Sequence, residues 1–147
     1  ELVSAAMRAI GQPALATYVP DDWCGETGAF VLLCTPSVNT HNSTFSHSAR
    51  HVKKDGPPRV YVNPADARTL GVADGEHVTL ESVRATVTLP VGLCSDTPPG
   101  AVRIDGLPRR RDIPEGVGIN ALVSGATSDL GSGNVLYSTR VNVRRAR

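Results

Sequence analysis

The chain is predicted to fold as a mainly β domain with only short helices. Three observations predict this. Gly and Pro are plentiful, 14 and 11 of 147 residues, which marks many turns and leaves little room for long helices. Two successive runs, from Val78 to Leu80 and from Val83 to Leu89, alternate apolar and polar side chains, the period of a strand with one buried face. The length suits one domain with a real core.

Composition narrows the function classes. Hydrophobic residues are 40% and charged residues 20%, ordinary for a globular domain. A net charge of +1 gives no global case for nucleic acid or a membrane surface, and 4% aromatics argue against a base-stacking platform. No apolar run approaches the ~18 residues of a membrane helix. No signal-peptide pattern opens the chain, which starts at Glu1 rather than Met, as a fragment, a processed product or a trimmed chain would. The three cysteines, Cys24, Cys34 and Cys94, lack Cys-x-x-Cys spacing. They read as free thiols in a reducing, cytoplasmic compartment.

In chain order, Leu2, Val3, Ala6, Met7 and Ile10 fall at helical spacing, so residues 2–10 read as a short amphipathic helix ended by Gly11 and Pro13. Residues 14–27 read as irregular, with Trp23 as a packing residue. Residues 30–34 form an apolar run between Gly28 and Pro36, best read as a buried strand. Residues 36–58 are a long polar loop. A loop of that length in a compact domain is usually functional or mobile. Its His41, His47 and His51 match no standard zinc spacing and read as polar loop histidines.

Residues 61–80 pack a strand end, a helix, a turn and a new strand into one stretch. Val60 and Val62 finish an extended run. Asn63 is a good N-cap, and Pro64 fits the first helical position. Asp66 lies in the first turn, where its charge favours the helix N-terminus. Gly71 closes the helix in the left-handed region, and Asp74-Gly75 turns into the strand from His77 to Leu80. The alternating runs then suggest a hairpin ended by Pro90 and Gly92. Thr97-Pro98-Pro99-Gly100 is a rigid turn before a short strand, 101–104.

Residues 105–118 form a second loop. Its Arg109-Arg110-Arg111 run reads as solvated or as pairing with acids on a partner. Residues 126–134 are rich in glycine but form neither a dinucleotide fingerprint nor a phosphate loop of the Walker type. Residues 135–143 alternate as a closing strand, followed by a basic tail at Arg144, Arg145 and Arg147.

The order of these motifs resembles the molybdopterin-dinucleotide-binding domain at the C-terminus of molybdenum and tungsten oxidoreductases of the formate dehydrogenase, nitrate reductase and DMSO reductase type. The match rests on Asn63-Pro64-Ala65-Asp66-Ala67 with Leu70-Gly71-Val72 and Asp74-Gly75, on the Pro-Gly turn, and on Gly118-Ile119-Asn120-Ala121-Leu122 before a Gly-rich turn. It runs from about residue 28 to 144. The resemblance implies a six-stranded double-psi β-barrel, aspartate-decarboxylase-like, with short helices. It divides the chain into a lead-in, 1–27, and the barrel domain, 28–147.

The resemblance also implies a role for particular residues. Asn63 and Asp66 would contact the guanosine of a molybdopterin guanine dinucleotide. Thr35 and the turn with Asn39, His41 and Asn42 would reach pyrophosphate and pterin, although the Arg that usually follows the Thr is missing here. Asn120 would meet the pterin, with Ser124 nearby, and Arg140 would reach cofactor from the last strand. The molybdenum or tungsten would be held outside this chain, by catalytic and iron–sulfur domains of a parent enzyme. No catalytic residue is expected in the chain itself. Cap and first-turn acid also account for Asn63 and Asp66, and the sequence leaves both readings open. A stand-alone barrel subunit or an interaction module without a catalytic role is the alternative. A hydrolytic barrel would need His41, His47 and His77 to converge with Asp66 or Asp129.

Overall fold

The computed structural model describes residues 3–18, 28–128 and 131–146, with Tyr137 described by its backbone only. The expectations for Leu2, Trp23, Cys24, Asp129 and Arg147 lie outside the described residues, as does the side-chain part of the alternation at Tyr137.

Six strands close into a barrel. They are β1 (Phe30–Thr35), β2 (Val60–Val62), β3 (His77–Glu81), β4 (Thr86–Leu93), β5 (Ala101–Asp105) and β6 (Arg140–Arg145). Their order around the barrel is β1-β5-β2-β4-β3-β6. Two pairs are parallel: β1 with β5, where Thr35 meets Asp105, and β2 with β4, where Val60 meets Val91. The other pairs are antiparallel. Two parallel pairs, one nested within the other in sequence, lie in a closed six-stranded barrel, the double-psi architecture that the resemblance implies.

The pleat sends alternate residues inward. Val60 and Val62, Val78 and Leu80, Val87, Leu89 and Val91, Val102 and Ile104 are all buried to 1% exposure or less. Leu32 and Val141 join them, and Ile113, Ile119 and Leu122 from the connections complete the core. Closure also removes sheet edges that would otherwise need cover. Among the described residues no helix is long and apolar enough to cross a membrane.

Among the described residues three α-helices accompany the barrel: α1 (Ala5–Ala9), α2 (Ala49–Asp55) and α3 (Pro64–Leu70). Helix α3 follows its local code. Asn63 Oδ1 accepts from the Ala65 N–H at 2.9 Å, Pro64 opens the first turn, and Gly71 closes it at φ 66°. Helix α1 is shorter than expected. Ser4 caps it, its Oγ accepting from the Met7 N–H at 3.2 Å.

Three expectations need correction. The 36–58 stretch is not all loop, because α2 occupies its second half. Ala49, Arg50, Lys53 and Lys54 are good helix formers between Ser48 and the positive-φ Gly56, with lysines in the last turn. Pro90 does not end the hairpin strand. β4 runs on to Leu93, and Pro90 sits where it leaves β3, opposite His77, and joins β2. A residue without an N–H is tolerated at such a change of partner. The closing strand starts late. β1 offers β6 only Phe30 and Val31, so Leu136–Ser138 coil into a 3-10 turn instead.

Candidate functional site

A cleft of about 780 Å³, lined by apolar and polar side chains together, opens beside the C-terminal ends of β1 and β5. Ser37, Asn39, Thr40, Lys54, Arg59 and Arg109 are among the residues lining it. The loop after β1 is knotted by Asp55 at the end of α2. Ser37 Oγ and Asn39 Nδ2 both donate to Asp55 Oδ1 at 2.7 Å, and the Asn39 N–H donates to Ser37 Oγ at 3.0 Å. At the strand ends, the Thr35 hydroxyl donates to Asp105 Oδ1. Arg103 Nε lies 3.0 Å from the same oxygen, and the guanidinium rests 4.8 Å from the centre of the Tyr61 ring. Of this outer-face row, Tyr61 and Asp105 line the cleft.

The cations around the cleft differ in how committed they are. Arg109 grips Asp112 through both Nε and Nη2, and that hydrogen-bonded carboxylate pushes its pKa further up. Arg59 reaches Asp74 at 3.6 Å and the Val91 carbonyl. Lys54 has no partner among the described residues. The Arg109-Arg110-Arg111 run is therefore partly spent within the chain, since Arg110 also donates to the Gly116 carbonyl at 2.9 Å.

A second polar patch forms at the opposite end of β1. Asn63 Nδ2 donates to the Thr97 carbonyl at 2.8 Å, and Asp66 Oδ2 accepts from the Gly100 N–H at 2.8 Å. Gly100 passes the connection on, because its carbonyl accepts from the Val31 N–H at 3.0 Å. Val31 lies opposite Arg140, and next to Arg140 the Thr139 Oγ1 accepts from the Ser124 N–H at 2.9 Å. Asp66 Oδ1 and the half-buried Arg140 guanidinium carry no bond among the described residues.

The expected site residues thus fall into two groups. Asn39 lines the cleft, Thr35 adjoins it through its bond to Asp105, and His41 and Asn42 do not line it. Asn63, Asp66, Ser124 and Arg140 belong to the second patch, and β1 links the two. Asn120 is exposed on the 3-10 turn Ile119–Ala121, just before Ser124. His41 bridges to Thr44 in the loop, and Asn42 adopts a left-handed φ of 53°; both are exposed. His51 stacks on Phe45 with ring centres 4.9 Å apart. Among the described residues no three His, Cys, Asp or Glu side chains gather to hold a metal. The sequence reading did not single out Lys54, Asp55 or Arg59. A readable signal was the helix-forming run between Ser48 and Gly56, which brings Lys54 and Asp55 to the cleft.

Chemically, the cleft offers hydrogen-bonding groups of both charges, since Asp55, Asp105 and Asp112 line it beside Lys54, Arg59 and Arg109. Hydroxyls, amides and a free ammonium line this end of β1. A carboxylate with a spare oxygen and an unpaired guanidinium stand at the other.

Comparison with known proteins agrees in kind. Residues 30–139 match the family described as "Molydopterin dinucleotide binding domain". The chain is 32% identical over 145 residues to "Probable oxidoreductase YoaE" of Bacillus subtilis, covering 99% of this chain and 21% of that protein. It is 32% identical over 89 residues to the putative catalytic subunit of dimethyl sulfoxide reductase from Halobacterium salinarum, covering 60% of this chain and 10% of that protein. The chain therefore spans about a fifth or less of the length of these relatives. The fold is also that of part of acetylene hydratase from Pelobacter acetylenicus, with a TM-score of 0.73 at 15% identity, covering 99% of this chain and 23% of that one. With the barrel, the Asn63–Asp66 helix start and a family match over most of its length, the chain belongs to the molydopterin dinucleotide binding domain family.

Proposed function

We propose that this chain is the cofactor-clamping domain of a larger molybdenum or tungsten oxidoreductase, and that it holds the guanine dinucleotide arm of a molybdopterin. The observation that carries this reading is the cleft and the Asn63–Asp66 patch joined by β1 in a member of this family. The residues present fit such a ligand. Asp66 keeps one carboxylate oxygen uncommitted, and a carboxylate suits the adjacent N–H donors of a guanine edge. Asn63 sets the start of α3 from which Asp66 projects. Arg140 and Ser124 offer charge and a hydroxyl beside it. Asn120 presents an exposed amide, donor and acceptor together, to a pterin edge. Asn39 and Lys54 in the cleft, with Thr35, His41 and Asn42 beside it, would hold the pyrophosphate side.

When bound, the cofactor supplies the redox-active metal through its pterin dithiolenes. The chain's own residues bind and orient it and keep water from the dinucleotide. Catalytic and iron–sulfur domains of the parent enzyme, in the cytoplasm, would complete the site; the oxidoreductase names and greater length of the relatives support such partners. The lead-in, residues 1–27, would join the barrel to them.

The test is a thermal-shift comparison of GDP, CDP and ADP on the chain. The reading predicts that GDP raises the unfolding midpoint more than CDP or ADP does. Equal effects of all three would remove the guanine assignment, and no effect from any would remove the clamp.

A further inference from the structure

The turn that follows β4 carries chemistry that nucleotide binding does not use. Cys94 opens it, Thr97 sits at its middle and Gly100 closes it. The Cys94 N–H donates to the Val62 carbonyl at 3.0 Å, tying the turn to β2. From β5, Arg103 brings Nη2 to 3.9 Å from Cys94 Sγ. The Thr97 N–H donates to the Cys94 carbonyl at 3.2 Å, which closes the turn. Thr97 is 0% exposed, and its Oγ1 has no hydrogen-bond partner among the described residues. A buried hydroxyl without an acceptor is costly, and an anionic sulfur would supply one.

The charge balance agrees with that geometry. Burial opposes ionisation of Cys94, but the Asp96 and Thr97 N–H groups, the Thr97 hydroxyl and the Arg103 charge outweigh it and bring the thiol below its ordinary value. Cys34 is the internal contrast, because burial alone pushes it up to about 11. The turn is also the piece that anchors the second patch. Its Thr97 carbonyl receives Asn63 Nδ2, and its Gly100 N–H holds Asp66 Oδ2.

We propose that Cys94 is a modification site, a thiolate seated against Arg103 and Thr97 that a hydroperoxide oxidises to a sulfenic acid, loosening the turn that holds Asn63 and Asp66. The thiolate attacks one peroxide oxygen. An S–O bond forms as the O–O bond breaks, and the second oxygen leaves as hydroxide or alkoxide and takes a proton from water. Sulfur loses two electrons and the peroxide gains them. The new oxygen must fit beside a fully buried Thr97, so the turn shifts and both anchors shift with it. The effect on nucleotide binding rests on the clamp reading; the reactivity of Cys94 does not.

The experiment uses the whole chain. Iodoacetamide labelling near neutral pH with peptide mapping is expected to modify Cys94 at least about tenfold faster than Cys34. Arg103→Gln and Thr97→Val should each slow Cys94 labelling, and Arg103→Lys should keep most of the rate. Hydrogen peroxide followed by dimedone should leave the adduct on Cys94. Oxidised wild type should then bind GDP more weakly than untreated protein, while Cys94→Ser treated the same way should not change. Cys94 labelling no faster than Cys34, an unchanged rate in Arg103→Gln, or no adduct at Cys94 would overturn the reactive thiol. Equal GDP binding before and after full oxidation would overturn its control of the site. GDP binding in neither state would sink the clamp reading, with the labelling and adduct results still deciding the thiol.

Discussion

Asn63 does two structural jobs with one amide. Its oxygen caps α3 and its nitrogen holds the Thr97 carbonyl. Asn63→Ala removes both, and the expected loss is about 1–3 kcal/mol, read as a lower urea midpoint with unchanged slope. Asp66→Asn keeps an acceptor for the Gly100 N–H. It should cost under about 1 kcal/mol of stability while weakening GDP binding about tenfold or more. Only the cap was legible in the sequence, because its partner is two residues away, whereas Thr97 and Gly100 are each 34 residues from the side chains they hold. Cys34 offers a pH test. Its folded pKa is raised to about 11 from 9.0 by burial, so the neutral thiol is favoured in the fold. The native state then holds more protons, and stability is lost as pH rises from 9 towards 11. Relative to wild type, Cys34→Ala should flatten that alkaline decline in urea titrations repeated across the window.

Helix α3 was readable end to end, since Asn-Pro opens it and a left-handed Gly closes it with no help from the rest of the fold. Strands β1, β3 and β5 were readable from apolar runs or alternation between turn residues. What failed were elements whose limits depend on neighbours. β4 passes Pro90 because a second partner, β2, takes over there. The closing strand is cut short because β1 gives it only two opposite residues. Helix α2 escaped notice because it buries no residue, so no apolar stripe announces it. Gly28 shows the same dependence at the junction of β1 and β6. A Cβ there would lie 2.7 Å from the Val141 N, a backbone atom that cannot step aside. Gly28→Ala should therefore destabilise the barrel by more than the usual Gly-to-Ala change, by about 2 kcal/mol or more in denaturant unfolding.

The barrel as a whole was not deducible from alternation alone. Short strands predict β structure, but the order β1-β5-β2-β4-β3-β6 depends on long-range pairing that periodicity does not carry. The resemblance supplied the double-psi barrel as a class, not this order. The core was nearly explicit, because the inward residues are the apolar members of each alternating run. Leu89 is 1% exposed within that core. Leu89→Ala should cost about 2–5 kcal/mol, seen in chemical denaturation. The candidate site was only half legible. Its side chains came from separate stretches, and their division into two patches at the ends of β1 follows from the closed barrel. That division is also what the functional account needs, because a dinucleotide has a base and a pyrophosphate to be held apart. The most direct measurement is a titration of the isotope-labelled chain with GDP, followed by backbone amide NMR. The account predicts selective shifts at Asn63, Asp66, Gly100 and Arg140, with further shifts at Thr35 and Asn39. No selective shifts at any ligand concentration, from a folded sample, would contradict it and leave Asn63 and Asp66 as the cap and tether of α3 alone.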